Sequence, residues 1–288
     1  CRGIYQGRTP IPFTPGTETA GTVLAVGDGV THLAVGDRAA AMAGGLAEQV
    51  VVPGGMTWRI PDRLSMAQAT AVPVNYGTSW FALHDRGHLR RGDVLLVTGA
   101  AGGAGSAAVQ LGLAAGATVI AVAGGAEKVA RCNELGAHHV IDHHRLGPNA
   151  GNDAGGDAPD LVSVVRDLTG GVGVDVAYDV VGGDVAHQVR RCMAWNGRLL
   201  IIGFVGGIPD LPANHILLKN YSVVGVHWGA SLARDPGALG MQMANVFDLA
   251  ERGDVAPLVY PPYAFADGAL ALQDLADRAT WGKVVVEV

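Results

Sequence analysis

Residues 97–112, VTGAAGGAGSAAVQLG, constrain the fold of this chain more than any other stretch. An apolar run ends there, Gly99, Gly102, Gly103 and Gly105 follow in quick succession, and a small-residue segment of helical character continues from them. Such a stretch suits a strand that must turn sharply, a backbone that must approach a pyrophosphate, and a helix that must pack close to the strand it leaves. The start of that helix offers free N–H groups and the positive end of its dipole to phosphate. With 43 glycines in the chain, a glycine-rich turn alone proves little, so the flanks carry the assignment.

The flanks are consistent. DVLLVTGA, TVIAVAG, HVIDH, VDVAYDVV, GRLLIIGF and NYSVVGVHWG read as strands, and SAAVQLGLAAG, AEKVARCNELGA and later stretches between them read as helices. Alternation at this spacing predicts an α/β architecture, a parallel sheet covered on both faces and wound doubly by right-handed crossovers. Ahead of it, short strands and turns are predicted, as in TAGTVLAVGDGV (19–30), followed by a helix that Ser65 caps and Pro73 breaks. RLGPNAGNDAGGDAP (145–159) reads as a surface loop without functional weight. The tail predicts a helix (GMQMANVFDLAERG), a proline-rich turn (PLVYPPYAF), another helix and a final strand, GKVVVEV.

A net charge of −6 argues against a nucleic-acid footprint or an anionic-membrane surface. Apolar runs are short and glycine-punctuated, so no membrane span is expected. Cys1, Cys132 and Cys192 form no CxxC pair, which points to a reducing, cytoplasmic setting. The chain opens on Cys in the middle of a pattern and without the charged-then-apolar profile of a leader; a further N-terminal stretch is expected ahead of it.

TGAAGGAG also fits the Thr-Gly-x-x-x-Gly-x-Gly loop of short-chain dehydrogenases, which need a downstream Tyr-x-x-x-Lys. None of Tyr178, Tyr221, Tyr260 and Tyr263 has Lys four residues on, so that reading fails. The ordered series PFTPGTETAGTVLAVGDGV, VGDRA, NYGTSWFAL, LRRGDVLLVTGAAGGAG, EKVARCNELGAHHVID, GVDVAYDVVGG, GRLLIIGF and GKVVVEV resembles instead the medium-chain dehydrogenase/reductase superfamily, in its zinc-free quinone oxidoreductase (zeta-crystallin-like) branch. The resemblance runs through nearly the whole chain. It implies a GroES-like, mostly-β catalytic domain (residues 1–72 and 231–288), incomplete at its N-terminus, and a Rossmann domain (73–230), with the active site in the cleft between them.

Zinc members of that superfamily carry Gly-His-Glu where this chain has Gly16-Thr17-Glu18. A cysteine ligand near residues 70–80 and a four-cysteine loop are also missing, so no metal is expected. NAD-specific sites usually end their second strand in Asp or Glu. Here that strand ends in Ala123, Gly124 and Gly125, and Lys128, one of only three lysines, follows on the next helix. An end without an acid and with a cation nearby favours a 2′-phosphate, hence NADPH. By the resemblance, Ser or Thr usually stands where Gly125 does, and His143 holds a position near the adenine ribose. The same resemblance assigns Ala101, Gly102, Gly103 and Ala104 to the pyrophosphate, and Thr78, Gly203, Phe204, Val205, Val226, His227 and Trp228 to the nicotinamide side. Phe204 and Trp228 read equally well as packing residues.

Without zinc, negative charge developing on an acceptor must be met by hydrogen-bond donors, which favours acceptors that are already activated. The expected substrate is a quinone or an α,β-unsaturated carbonyl, reduced by hydride from NADPH. The proton donor is not identified by the sequence; Tyr5 is the nearest candidate. The alternative is an NADPH-binding relative with little turnover, structural or sensing. NYSVVGVHWG is expected to supply an edge strand for a homodimer.

Overall fold

The computed structural model describes residues 12–147 and 159–288. Tyr5 and most of the 145–159 loop therefore lie outside the described residues. Contacts divide the chain into two compact units, one of residues up to Val74 together with Ala256–Val288, the other Asn75–Val255. Residues 231–255, expected with the first unit, pack with the second. The reason is their long helix, whose Met243 and Val246 are fully buried there.

The first unit combines short strands with short helices. Strands β1 (Thr19–Thr22), β2 (Arg38–Ala41) and β3 (Thr57–Arg59) form an antiparallel sheet in that order. Helix α1 (Met66–Thr70) starts at Ser65 as expected, in a reciprocal capping box with Gln68. Instead of simply ending the helix, Pro73 lies within a π-helical turn over Val72–Tyr76. The tail strand is shorter than GKVVVEV suggests, only Val286–Glu287, paired in parallel with Tyr263–Ala264. Lys283 and Val285 also bond to the 258–263 segment, but Pro261 and Pro262 have no N–H to give and interrupt the ladder. Glu18 sits at the heart of this unit. One carboxylate oxygen accepts the Val74 N–H at 2.8 Å, and the other pairs with the Lys283 ammonium. Burial pulls Lys283 down to about 8.

The second unit holds a six-stranded parallel sheet. Its strands are β4 (Val94–Thr98), β5 (Thr118–Ala123), β6 (His139–Asp142), β7 (Val174–Asp179), β8 (Met193–Ile201) and β9 (Ser222–Gly225). Their order, β6-β5-β4-β7-β8-β9, is the 3-2-1-4-5-6 arrangement of a Rossmann sheet, with all six strands found where the apolar runs predicted them. The intervening helices are α2 (Gly77–Trp80), α3 (Gly103–Ala114), α4 (Ala126–Glu134), α5 (Leu161–Leu168), α6 (Gly183–Cys192), α7 (Ala213–Lys219), α8 (Trp228–Leu232) and α9 (Pro236–Arg252). Successive strand residues face opposite sides. Leu96, Ile120, Val122, Ala177 and Leu199 make a core with Val165 of α5 and Val189 of α6. Leu95 faces the other way, against α3 at Gly112. Helix α3 is buried along 105–112, as suits a helix of mostly small and apolar residues, with Ser106 and Gln110 the buried polar exceptions. None of the described helices is long and apolar enough to cross a membrane.

Replacing Glu18 by Ala strands the Lys283 ammonium in the interior. The expected cost is about 3–5 kcal/mol, read as a lower urea midpoint; a loss near zero would show that the pair is not buried in solution.

Candidate functional site

Because every strand of the sheet runs the same way, the ends of β4 through β9 lie along one edge, and the loops leaving them share it. At the centre, between β4 and β7, the winding direction reverses, and this is where parallel sheets open a crevice for ligands. Nearly all residues expected to bind cofactor lie on loops or helix starts along that edge.

The central loop follows from three glycines. Gly99 has φ +59°, which turns the chain out of β4. Gly102 is the N-cap of α3 and carries no capping side chain. A Cβ on Gly105 would lie 2.1 Å from the Gly99 carbonyl oxygen, so only glycine lets α3 start so close to the strand. Ala101, Gly102, Gly103 and Ala104 thus surround an uncapped helix start whose first-turn amides face outward, a cradle that fits a pyrophosphate. Ser79 braces it from behind, donating to the Ala104 carbonyl at 3.0 Å and meeting the Tyr178 hydroxyl at 2.9 Å. Burial pushes the Tyr178 phenol up, with the Ser79 bond opposing.

Next to this, Asp179 ends β7 and is 1% exposed. One carboxylate oxygen accepts from the Thr98 hydroxyl at 2.7 Å, the Val181 N–H at 2.9 Å and the Gly182 N–H at 3.2 Å. The Thr98 oxygen accepts in turn from the Val180 N–H. The turn so fixed is zipped to the loop after β8 by Gly206 N–H to Val181 O and Gly183 N–H to Gly207 O, both 2.7 Å. Side chains at Gly182 or Gly183 would strike the carbonyls of Gly207 or Gly206 at 2.4 Å. Gly203, Phe204 and Val205 are thereby held beside the switch point, with Phe204 partly and Val205 largely exposed.

Val226 follows β9 and donates its N–H to Ile201 O. His227 is exposed, whereas Trp228 is buried. The indole N–H of Trp228 donates to Gln242 at 2.8 Å, and Gln242 donates to Asp85. Its ring packs where a Cβ on Gly77 would reach it at 2.4 Å, next to the half-buried Thr78. Of the two readings of Trp228, packing describes its side chain here.

At the other end of the edge, β5 gives way to Gly124 and Gly125, with φ +87° at Gly125, the N-cap of α4. A residue with a side chain would be strained at Gly125, which accounts for glycine where Ser or Thr is usual. Asp142, at the end of β6, accepts from the N–H groups of Gly125 and His144, each at 3.0 Å. Burial pushes its carboxyl up, but those two N–H bonds and the neighbouring His144 and Arg145 charges outweigh it and hold it below the ordinary range. The rings of His143 and His144 meet edge-to-face at 4.5 Å over Gly124. Burial, then His144, pulls His143 down, Asp142 opposing and Lys128 adding a smaller downward push. The structure therefore groups Gly124, Gly125, Lys128 and His143, and adds His144 and Asp142. Asp142 and Asp179 were signalled only by ending apolar strands, and His144 only by its neighbour. Among the described residues, no three His, Cys, Asp or Glu side chains group as metal ligands.

Two family models match the sequence, "Zinc-binding dehydrogenase" over residues 103–245 and "Alcohol dehydrogenase GroES-like domain" over residues 2–62. The chain is 36% identical to a quinone oxidoreductase-like protein 2 homolog of Nematostella vectensis, over 99% of this chain and 76% of that one. A probable oxidoreductase from Mycobacterium abscessus has a similar structure, with TM-score 0.85, 34% identity, and coverage of 99% of this chain and 83% of that one. The quinone oxidoreductase of Thermus thermophilus, also solved in complex with NADPH, aligns with TM-score 0.80 and 32% identity over 99% of this chain and 85% of that one.

Changing Gly105 to Ala forces α3 away from the Gly99 carbonyl. A stability loss of about 1–3 kcal/mol is expected, together with weaker binding of any dinucleotide; a variant that melts and binds like the parent would remove the close-packing argument.

Proposed function

The chain belongs to the medium-chain dehydrogenase/reductase superfamily, in its quinone oxidoreductase branch, and on that footing we propose that it is a metal-independent, NADPH-dependent reductase of quinones or α,β-unsaturated carbonyls. The observation that carries the cofactor choice is the end of β5. It offers glycine where an NAD site offers an acid, with Lys128 and His143 grouped around it. The NADPH complex of the Thermus relative supports the same reading.

When bound, NADPH supplies hydride. This chain's residues bind and orient it. The uncapped start of α3 meets the pyrophosphate, and Lys128 and His143 meet the 2′-phosphate. The zipped loops holding Gly203, Phe204 and Val205 support the nicotinamide side. Thr17 stands at the position of a zinc ligand in the zinc members, which favours conjugated acceptors over plain ketones. The thiols of Cys132 and Cys192 are free and buried, which suits a reducing cytoplasmic setting.

We also propose a homodimer formed through β9. It is an edge strand of the six-stranded sheet, with Val223 exposed on it and Leu217 and Leu218 exposed on the preceding helix α7.

Three measurements test these points. The near-ultraviolet absorbance of NADPH should fall on adding 1,4-benzoquinone or 9,10-phenanthrenequinone; binding without oxidation would favour the low-turnover alternative. Lys128→Ala should weaken NADPH by about tenfold or more and leave NADH nearly unchanged; equal losses would discard the 2′-phosphate assignment. Light scattering should return twice the chain mass, and a monomer mass would reject the dimer.

A further inference from the structure

We propose that His144 and His143 act as a proton-dependent clamp on the 2′-phosphate, taking up a proton as NADPH binds, so that the preference for NADPH over NADH sharpens as pH falls. This rests on the NADPH reading above and adds to it a residue, His144, and a pH response.

The argument is geometric first. A Cβ on Gly124 would lie 2.4 Å from Nε2 of His143 and 2.8 Å from Nε2 of His144, so both rings aim a nitrogen at the same spot. That spot is the end of β5, where the ribose-binding acid of an NAD site would stand. The Nδ1 of His144 also lies 3.7 Å from the position of a Cβ on Gly125, at the N-cap of α4. Gly124 has no side chain to hold the rings off. Asp142 fixes the arrangement, because one oxygen accepts both the Gly125 and the His144 N–H. It thereby ties the backbone carrying the imidazoles to the start of α4. A phosphate against that helix start would meet first-turn amides from one side and two imidazoles from the other.

The charges decide the response. On α4 the groups are Glu127, Lys128 and Arg131, the last paired with Glu134 at 2.6 Å. On the β6 side they are His139, Asp142 and Arg145, the last two 3.7 Å apart; the segment Thr118–Ala123 that forms β5 carries none. In the free protein, burial, the second imidazole and Lys128 all disfavour a proton on His143, and Asp142 is the charge that opposes them. A dianion held against the two rings reverses that balance, and the imidazole pair gains a proton on binding. A group whose pKa is higher in the complex than in the free protein tightens binding as pH falls through that interval. The second ionisation of a phosphate, near pH ~6, works the other way, because losing phosphate charge weakens binding. Tightening above that pH therefore comes from the protein.

The test measures Kd for NADPH and for NADH on the full chain by calorimetry, at pH 8 and pH 6.5, and repeats the titration in two buffers of different ionisation heat to count protons. For the parent protein, NADPH should tighten by about tenfold over that range with net proton uptake, and NADH by less than about twofold. His144→Gln keeps the backbone bond to Asp142 and should cut the NADPH response to about threefold, with His143→Gln acting likewise. Both histidines are exposed, so these variants should keep the parent's melting temperature. If NADPH is preferred but its affinity is flat with pH, or His144→Gln leaves the slope intact, the clamp is overturned and the NADPH reading survives. If NADH binds as well as NADPH at both pH values, or neither binds, the NADPH reading itself falls and the clamp with it.

Discussion

The contact that organises the second unit is one of backbone against backbone, the Gly99 carbonyl lying where Gly105 has no side chain. Any other residue there would push α3 off the end of β4, and the open amides at its start would no longer sit over the switch point. The surrounding parts serve that placement. Ser79 and Tyr178 hold the first turn of α3 from behind, and Gly112 lets the same helix settle onto Leu95 further along. Helix position, and with it the phosphate cradle, is set by the absence of atoms at a few places.

Beside the cradle, one carboxylate does the equivalent work with bonds. Asp179 gathers a hydroxyl and two amides onto a single oxygen, and the turn it fixes is laced to the loop after β8 through glycine amides and carbonyls. Loops of irregular backbone at a buried switch point need such partners, since unpaired amides there would be costly. The two loops consequently share one conformation. The nicotinamide-side candidates Gly203, Phe204 and Val205 inherit their position from residues on a different strand.

Much of this was legible in the sequence. Six apolar runs between helical stretches implied a doubly wound sheet, and each became a strand, because burial on both faces leaves a periodicity-free signature. The glycine loop was readable because turn, approach and packing each require glycine. Ser65 was readable because capping is local chemistry. What escaped depended on distant partners. Trp228 is committed to Gln242, which lies fourteen positions on, and nothing nearby in sequence announces that. The boundary at residue 231 failed because α9 carries buried residues whose partners lie in the segment before it, a matter of packing that a break in pattern cannot reveal. The final strand was cut short by two prolines on the segment it pairs with, not by its own residues. Asp142 and His144 were overlooked because their roles arise from two strand ends meeting across the sheet edge.

The pairing of Glu18 with Lys283 joins residues 265 positions apart. Between them lies the whole of the second unit, Asn75–Val255, which is continuous in sequence and has its own core. As the polypeptide leaves the ribosome, that middle stretch is complete while the first still lacks its closing segment. Glu18 must wait, solvated, until the segment that carries Lys283 has been synthesised. The order of maturation is thus written into the topology: the second unit early, the first unit only once its closing segment arrives, with a long-range charge pairing to fasten it.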